Sequence, residues 1–175
     1  MTAGHVILVG LPGSGKSTVG PLLAARLGRP FVDVDAELEL RAGLPIPVIF
    51  EREGEAGFRV REAELSVELA RSAPAVIAPG GGWLLNPGAA PLREGGRIIY
   101  LRTAPEAALA RMGDGVAGRP LLAAAADPLA ALRALLDRRG AAYEGAALTI
   151  DTDGRTPAEV ADRAAALIRE AEGDG

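Results

Sequence analysis

Val6-Ile-Leu-Val-Gly10-Leu-Pro-Gly13-Ser-Gly15-Lys16-Ser17-Thr18 is the stretch on which the reading of this chain turns. Its first four residues are apolar and three are β-branched, the composition of a strand buried on both faces of a parallel sheet. Beyond it, Val19, Leu22, Leu23 and Leu27 recur at helical spacing. The segment between matches G-x-x-x-x-G-K-[ST] in the setting that motif requires, a strand before and a helix after. Glycines let consecutive backbone amides turn around an anion. The new helix aims its unpaired amides and the positive end of its dipole at the same phosphates. Lys16 supplies a cation for the β- and γ-phosphates of a nucleotide, and Ser17 a hydroxyl for Mg²⁺. Gly13, Ser14, Gly15 and Thr18 complete the nucleotide-binding set.

Lys16 is also the only lysine in the chain, every other side-chain cation except His5 being arginine. A sequence so biased has kept a slim point charge at the one position where a planar fork would not fit a phosphate cradle.

With 175 residues, the chain is expected to form a single domain, residues 1–175, large enough for a sheet covered on both faces. Apolar residues make up 49% and aromatics only 3%, so Ala, Val, Leu and Ile must build the core. A net charge of −4 gives no electrostatic case for nucleic acid or an anionic membrane. The absence of cysteine excludes disulfides and thiolate metal sites. No apolar run approaches a membrane span and no signal-peptide pattern opens the chain, so a cytoplasmic protein is expected. His5, at the far end of the first strand from the glycines, is expected at the surface.

A second strand, Phe31 to Asp35, runs into two carboxylates at the sheet edge where open α/β folds bind ligands. Asp33 and Asp35 suit a metal and a substrate; equally, Asp35 suits the cap of the next helix, about Ala36 to Arg41. Val48 to Glu53 reads as a short helix, broken at Gly54–Gly57 and followed by a longer one from Phe58 to about Arg71. Arg59 and Glu62 fall one turn apart at its start. An arginine there opposes the helix dipole, which points to some further duty, a surface ion pair being the alternative. Strand three, Pro74–Ala78, ends in Gly80-Gly81-Gly82-Trp83, glycines that suit either a tight turn or amides presented to a ligand. Residues 86–96 read as a loop with room for a short helix, Arg97–Leu101 as strand four, and Ala104 to about Met112 as a helix. Gly113 to Leu122 is glycine-rich, with Arg119 its only cation, the composition of a lid. Pro128 to Arg139 reads as a helix ended by Gly140, with Arg138 and Arg139 favourably placed against its dipole. Ala147–Ile150 is strand five, Thr156 caps a last helix from Pro157 to Ala171, and the Gly-Asp-Gly tail is expected to fray. Five strands alternating with helices predict a three-layer α/β/α fold with a five-stranded parallel sheet.

From about Val6 to Ile168 the chain resembles the shikimate kinases. The resemblance rests on the phosphate loop, Asp33-Val-Asp35, Gly57-Phe58-Arg59, Gly80-Gly81-Gly82, Arg119-Pro120-Leu121-Leu122, and Arg139 four residues before Tyr143. It implies a fold like that of nucleoside monophosphate kinases, with a substrate-binding region at about residues 33–62 and a lid at about 113–125. It implies ATP-dependent phosphorylation of the shikimate 3-hydroxyl, a step toward aromatic amino acids, by a monomer using Mg²⁺. In that reading Asp33 joins Ser17 at the Mg²⁺ site, and Asp35 orients or deprotonates the attacking hydroxyl. Arg59, steadied by Glu62, and Arg139 grip the substrate carboxylate, while Gly81 and Gly82 offer amides and Phe50 and Phe58 wall the ring. Arg119 joins Lys16 on the transferring phosphoryl group, and Arg111 and Pro157 sandwich adenine. The lid ahead of Arg119 is poorer in charge than the family pattern.

Two other readings stand beside this one: a kinase of similar fold for gluconate or a nucleoside monophosphate, and a nucleotide-dependent regulator without turnover. Paired arginines with Asp35 and the triple glycine favour a small polyhydroxy acid over a nucleotide as acceptor. The presence of Lys16, Asp33, Asp35 and Arg119 together favours turnover.

Overall fold

The computed structural model describes residues 4–173. Strand β1 (His5–Val9) is buried along its whole length. Its alternating side chains feed two separate cores, Ile7 and Val9 on one face and Val6 and Leu8 on the other. Helix α1 (Lys16–Leu27) starts directly from the glycine loop. After it come β2 (Phe31–Asp33), α2 (Val34–Ala42) and the long α3 (Ile46–Leu69). The middle of the chain forms β3 (Val76–Ala78), short 3-10 turns at Trp83–Leu85 and Pro87–Ala89, α4 (Ala90–Gly95) and β4 (Gly96–Arg102). Next are α5 (Pro105–Met112), a 3-10 turn over Gly113–Gly118, and α6 (Pro120–Ala123). The chain closes with α7 (Pro128–Glu144), β5 (Leu148–Asp151) and α8 (Pro157–Glu172).

The strands pair in the order β2-β3-β1-β4-β5, all parallel, which bears out the predicted five-stranded sheet. From β1 the chain goes to one side for β2 and β3, and then to the other for β4 and β5. The carboxyl ends of β1, β2 and β3 therefore open onto one crevice at the point where the order reverses. One face of the sheet packs on α1 and α8, where Val6 and Leu8 meet Val19, Leu23, Ala161 and Ile168. The alanines of α8 and Gly20 of α1 keep these layers close; a Cβ on Gly20 would stand 2.1 Å from the Phe31 ring. On the other face Ile7 and Val9 join Leu38, Phe58, Trp83 and Leu132. Each such fully buried aliphatic side chain stabilises the fold by roughly 1.5–3 kcal/mol.

Four expectations from the sequence need correction. Strand β2 stops at Asp33, whose Oδ1 accepts from the Ala36 amide at 3.1 Å. Asp33, not Asp35, is thus the helix cap, and Asp35 falls in the first turn of α2. The break between the two helices is one residue, Gly54, at φ 70° and ψ −179°, with helix resuming before Phe58. Helix α7 continues through Gly140 to Glu144. A glycine in a helix costs about 1 kcal/mol, less than is gained by burying Tyr143 against Tyr100, ring centroids 5.1 Å apart. Arg139 is consequently mid-helix, so the dipole account of Arg138 and Arg139 falls. His5 is buried and accepts from the Ala75 amide at Nδ1 over 3.2 Å. Burial and nearby Arg29 lower its pKa, which suits a neutral acceptor. Of the tail, Gly173 caps α8 in the left-handed region, and the last two residues lie outside the described ones.

Candidate active site

The phosphate loop begins where β1 ends at Val9. Gly13 sits at φ 79°, and a Cβ there would stand 2.4 Å from the Ala108 carbonyl oxygen, so both backbone and space demand glycine. Gly15, at φ 98°, turns the chain into α1. Lys16 folds back over the loop, its Nζ donating to the Gly10 carbonyl at 2.8 Å and the Leu11 carbonyl at 2.9 Å. Burial of the ammonium, aided by Arg119 and Arg139, lowers its pKa to about 8 against the pull of Asp35 and Asp33. Ser17 stands at the mouth of the loop and donates from Oγ to Asp33 Oδ2 at 2.8 Å.

Asp35 lies where α2 begins, its carboxylate against Gly80; a Cβ on that glycine would be 3.1 Å from Oδ1. Oδ1 is buried and has no hydrogen-bond partner among the described residues. Burial, then the like charges of Asp33 and Glu62, raise its pKa to about 6, with Lys16 and Arg59 opposing.

Arg59 projects from α3 and Arg139 from α7, and both reach the triple glycine at the end of β3. A Cβ on Gly82 would stand 2.4 Å from Arg59 Nη2 and 3.1 Å from Arg139 Nη2, and one on Gly81 would stand 2.9 Å from Arg139 Nη1. The run turns at Gly80, whose carbonyl accepts from the Trp83 amide at 3.1 Å, and the lack of side chains at Gly81 and Gly82 leaves room for both guanidiniums. Arg59 Nη1 donates to Glu62 Oε2 at 2.9 Å, and Glu62 is fully buried, so this is no surface ion pair. Phe50 and Phe58 lie beside it with ring centroids 4.8 Å apart, and the Arg59 guanidinium sits 5.4 Å from the Phe58 ring centre.

These groups line two adjoining cavities. The larger, about 630 Å³, holds the phosphate loop, Asp33, Arg111 and Pro157. The smaller, about 110 Å³, is walled by Phe50, Phe58, Arg59, Gly82 and Arg139. Asp35, Gly80, Gly81 and Arg119 border both. Thr18 faces the larger cavity. Arg111 donates from both terminal nitrogens to Thr152, to the hydroxyl and the carbonyl, at 2.9 Å each, and Pro157 opens α8 opposite. Arg119 donates to the Gly115 carbonyl at 2.7 Å, within its own loop. Every site residue expected from the sequence thus borders one continuous depression.

The shikimate kinase family matches this chain over residues 12–169. The chain belongs to that family. A shikimate kinase of Salinispora arenicola is 46% identical over 163 residues, covering 93% of this chain and 96% of its own length. Among solved structures, a shikimate kinase from Acinetobacter baumannii in complex with shikimate has a TM-score of 0.89 at 40% identity, covering 98% of this chain and 96% of that one. The shikimate kinase of Aquifex aeolicus gives 0.78 at 32% identity, with 98% and 99% covered. As a shikimate kinase family member, this chain carries out ATP-dependent phosphorylation of shikimate to shikimate 3-phosphate.

Two contacts in this shikimate kinase site escaped the sequence reading. The Tyr143 hydroxyl donates to the Gly81 carbonyl at 2.5 Å, tying α7 to the triple glycine. Asn86, read as part of a loop, is buried and donates from Nδ2 to Glu62 Oε2 at 3.0 Å. Four-residue spacing from Arg139 was a usable signal for Tyr143. Nothing periodic marks Asn86, whose partner is 24 residues away.

Proposed function

We propose that the two cavities divide the reaction between them, ATP phosphates in the larger and shikimate in the smaller, with attack across Asp35. The observation that carries this is the convergence of Arg59 and Arg139 on Gly81–Gly82 beside an unpartnered Asp35 oxygen. Two guanidinium forks recognise one small carboxylate in a directional way that lysines would not. The Gly81 and Gly82 amides and Asp35 serve the hydroxyls, while Phe50 and Phe58 cover the ring faces. Asp35, with its pKa near 6, is ionised at neutral pH and accepts from the 3-hydroxyl. As that oxygen forms its bond to the γ-phosphorus and the bond to the β-phosphate oxygen breaks, the hydroxyl proton passes to Asp35 or to water.

Lys16 leaves its loop carbonyls for the β- and γ-phosphates, and Arg119, drawn in with residues 113–125 as lid, meets the charge that builds on the transferring group. Arg111 and Pro157 hold adenine between them. The Ser17 hydroxyl and Asp33 carboxylate, 2.8 Å apart, fit Mg²⁺, a hard cation that takes one or two protein oxygens and completes its shell with water and phosphate. Bound there, the ion would offset the charge of the β- and γ-phosphate oxygens. Residues 33–62 form the substrate-binding region, and the enzyme acts as a monomer.

Calorimetric titration of shikimate and of gluconate into protein preloaded with ADP and Mg²⁺ tests the substrate pocket. Shikimate should bind and gluconate should not. Arg139→Ala should weaken shikimate binding by about 2–5 kcal/mol, since it leaves a buried carboxylate half paired. An analogue lacking the carboxylate should bind poorly to the parent and lose little more in Arg139→Ala. If that analogue loses as much as shikimate does, Arg139 does not serve the carboxylate.

A further inference from the structure

Glu62 presents an unexplained demand. It is a fully buried carboxylate whose Oε1 has no partner among the described residues. Its other oxygen is shared between Arg59 and Asn86. An ionised carboxylate in such a place needs every donor it has, because the desolvation of a charge exceeds what a single ion pair returns. Asn86 is the only uncharged donor among the described residues to reach it.

Asn86 is itself held on all sides. Its backbone amide donates to the Trp83 carbonyl at 2.9 Å. Its Oδ1 accepts from the Gly88 amide at 3.1 Å, which leaves Nδ2 facing α3. Nδ2 then donates to both Glu62 Oε2 at 3.0 Å and the Arg59 carbonyl at 2.9 Å. A second tie runs in parallel: the Trp83 indole donates to Ser66 Oγ at 2.9 Å, and that hydroxyl to the Glu62 carbonyl at 2.7 Å. The segment that begins with the triple glycine is thereby bolted to the turn of α3 that carries Arg59.

We propose that Asn86 is a positioning residue for the substrate carboxylate, acting through Glu62 on Arg59. It fixes Glu62 Oε2 where Arg59 Nη1 can engage it, with Arg59 Nη2 at the Gly82 edge and 3.4 Å from the exposed Glu55 Oε1. It also ties the segment that begins with Gly81 and Gly82 to the turn of α3 that carries that guanidinium. The proposal rests on the reading of Arg59 as a carboxylate ligand.

The test is steady-state kinetics of Asn86→Ala, Arg59→Ala and the double variant. Asn86→Ala should raise the KM for shikimate about tenfold and leave that for ATP within twofold. In the Arg59→Ala background the same change should add less than twofold, because its route of action is already gone. Equal rises in both KM values, or full additivity with Arg59→Ala, would overturn the proposal. If Arg59→Ala itself leaves the shikimate KM unchanged, the carboxylate reading of Arg59 has failed and the role of Asn86 fails with it. Normal shikimate KM in Asn86→Ala beside a raised one in Arg59→Ala removes only the role of Asn86. Asn86→Asp, which keeps the shape, covers a poorly folding alanine variant. It places a second carboxylate on Glu62 Oε2, with Arg59 and Asp35 as the other charges nearby. Its KM for shikimate should rise at least tenfold while that for ATP stays within twofold, and an unchanged shikimate KM would overturn the proposal.

Discussion

Asp35→Asn should make the free protein more stable while removing most of its turnover. The Asp35 carboxyl is pushed up to about 6, first by burial and then by Asp33 and Glu62. An acid whose pKa is raised on folding binds its proton more tightly in the folded state. Its ionisation therefore works against the fold. The effect is small below the ordinary value of 3.8, grows as pH rises toward 6, and is complete above it. From 3.8 to about 6, at roughly 1.36 kcal/mol per unit, the full effect is ~3 kcal/mol. That value already contains the pull of Lys16; the Asn amide, still a buried polar group, costs about 1 kcal/mol, which brings the expected gain to about 2 kcal/mol. Unfolding by urea, without ligands, should show the variant more stable by that amount at pH 7.5. The gap should narrow to under about 1 kcal/mol at pH 4.5. In thermal unfolding at pH 7.5 the difference corresponds to roughly 5 °C for a chain of this size. Turnover should fall by about 100-fold or more, because an amide neither takes the hydroxyl proton nor orients the hydroxyl by its charge. A variant less stable than the parent at pH 7.5, or a gap equal at both pH values, would refute the reasoning.

Lys16→Ala should abolish turnover while leaving the unfolding midpoint within a few degrees, and Lys16→Arg should fail as well, because the planar fork does not fit between the Gly10 and Leu11 carbonyls. Near-normal turnover in Lys16→Arg would sink that account. Gly82→Ala should raise the KM for shikimate about tenfold or more and leave that for ATP unchanged, since the added methyl displaces Arg59 Nη2, a flexible end, and strains no backbone; equal effects on both substrates would show a wider disruption. Amide hydrogen exchange over Gly113–Arg119 should be fast in the free protein and slow with ADP, Mg²⁺ and shikimate bound, and equal protection in both states would leave this segment a static turn.

The architecture was readable because its signals are local. Val6–Val9 carries its own β-branched composition, the glycines and Lys16 carry their own spacing, and Thr156 with Glu159 forms a capping box that the sequence alone advertises. The boundaries that went astray were set by distant contacts. Nothing near Gly140 says that α7 continues, because the reason is Tyr143 stacking on Tyr100 from another strand. His5 reads as a polar end residue until β3 supplies the Ala75 amide that its ring accepts from. The cap of α2 moved from Asp35 to Asp33 because β2 keeps register with β3 only as far as Asp33 opposite Ala78.

The site divides along the same line. Residues proposed to meet a ligand belong to short motifs, since the chemistry fixes their type: a lysine in a glycine loop, acids at a strand end, glycines where guanidiniums approach. Residues that hold those residues are chosen by whatever fold surrounds them. Glu62 was within reach of sequence reading because its partner Arg59 is one helical turn away. Asn86 and Tyr143 bind across gaps of 24 and 62 residues, and no spacing rule links such positions. Yet the physical demand on them is the sharper one. A surface arginine that drifts by an ångström still meets its counter-ion, whereas Arg59 must leave Nη2 at the Gly82 edge while Nη1 stays on a buried carboxylate. The two hydrogen bonds donated by Asn86 Nδ2 act on both the backbone and the partner of Arg59. The orientation of that arginine is therefore a property of the 83–88 segment as much as of α3.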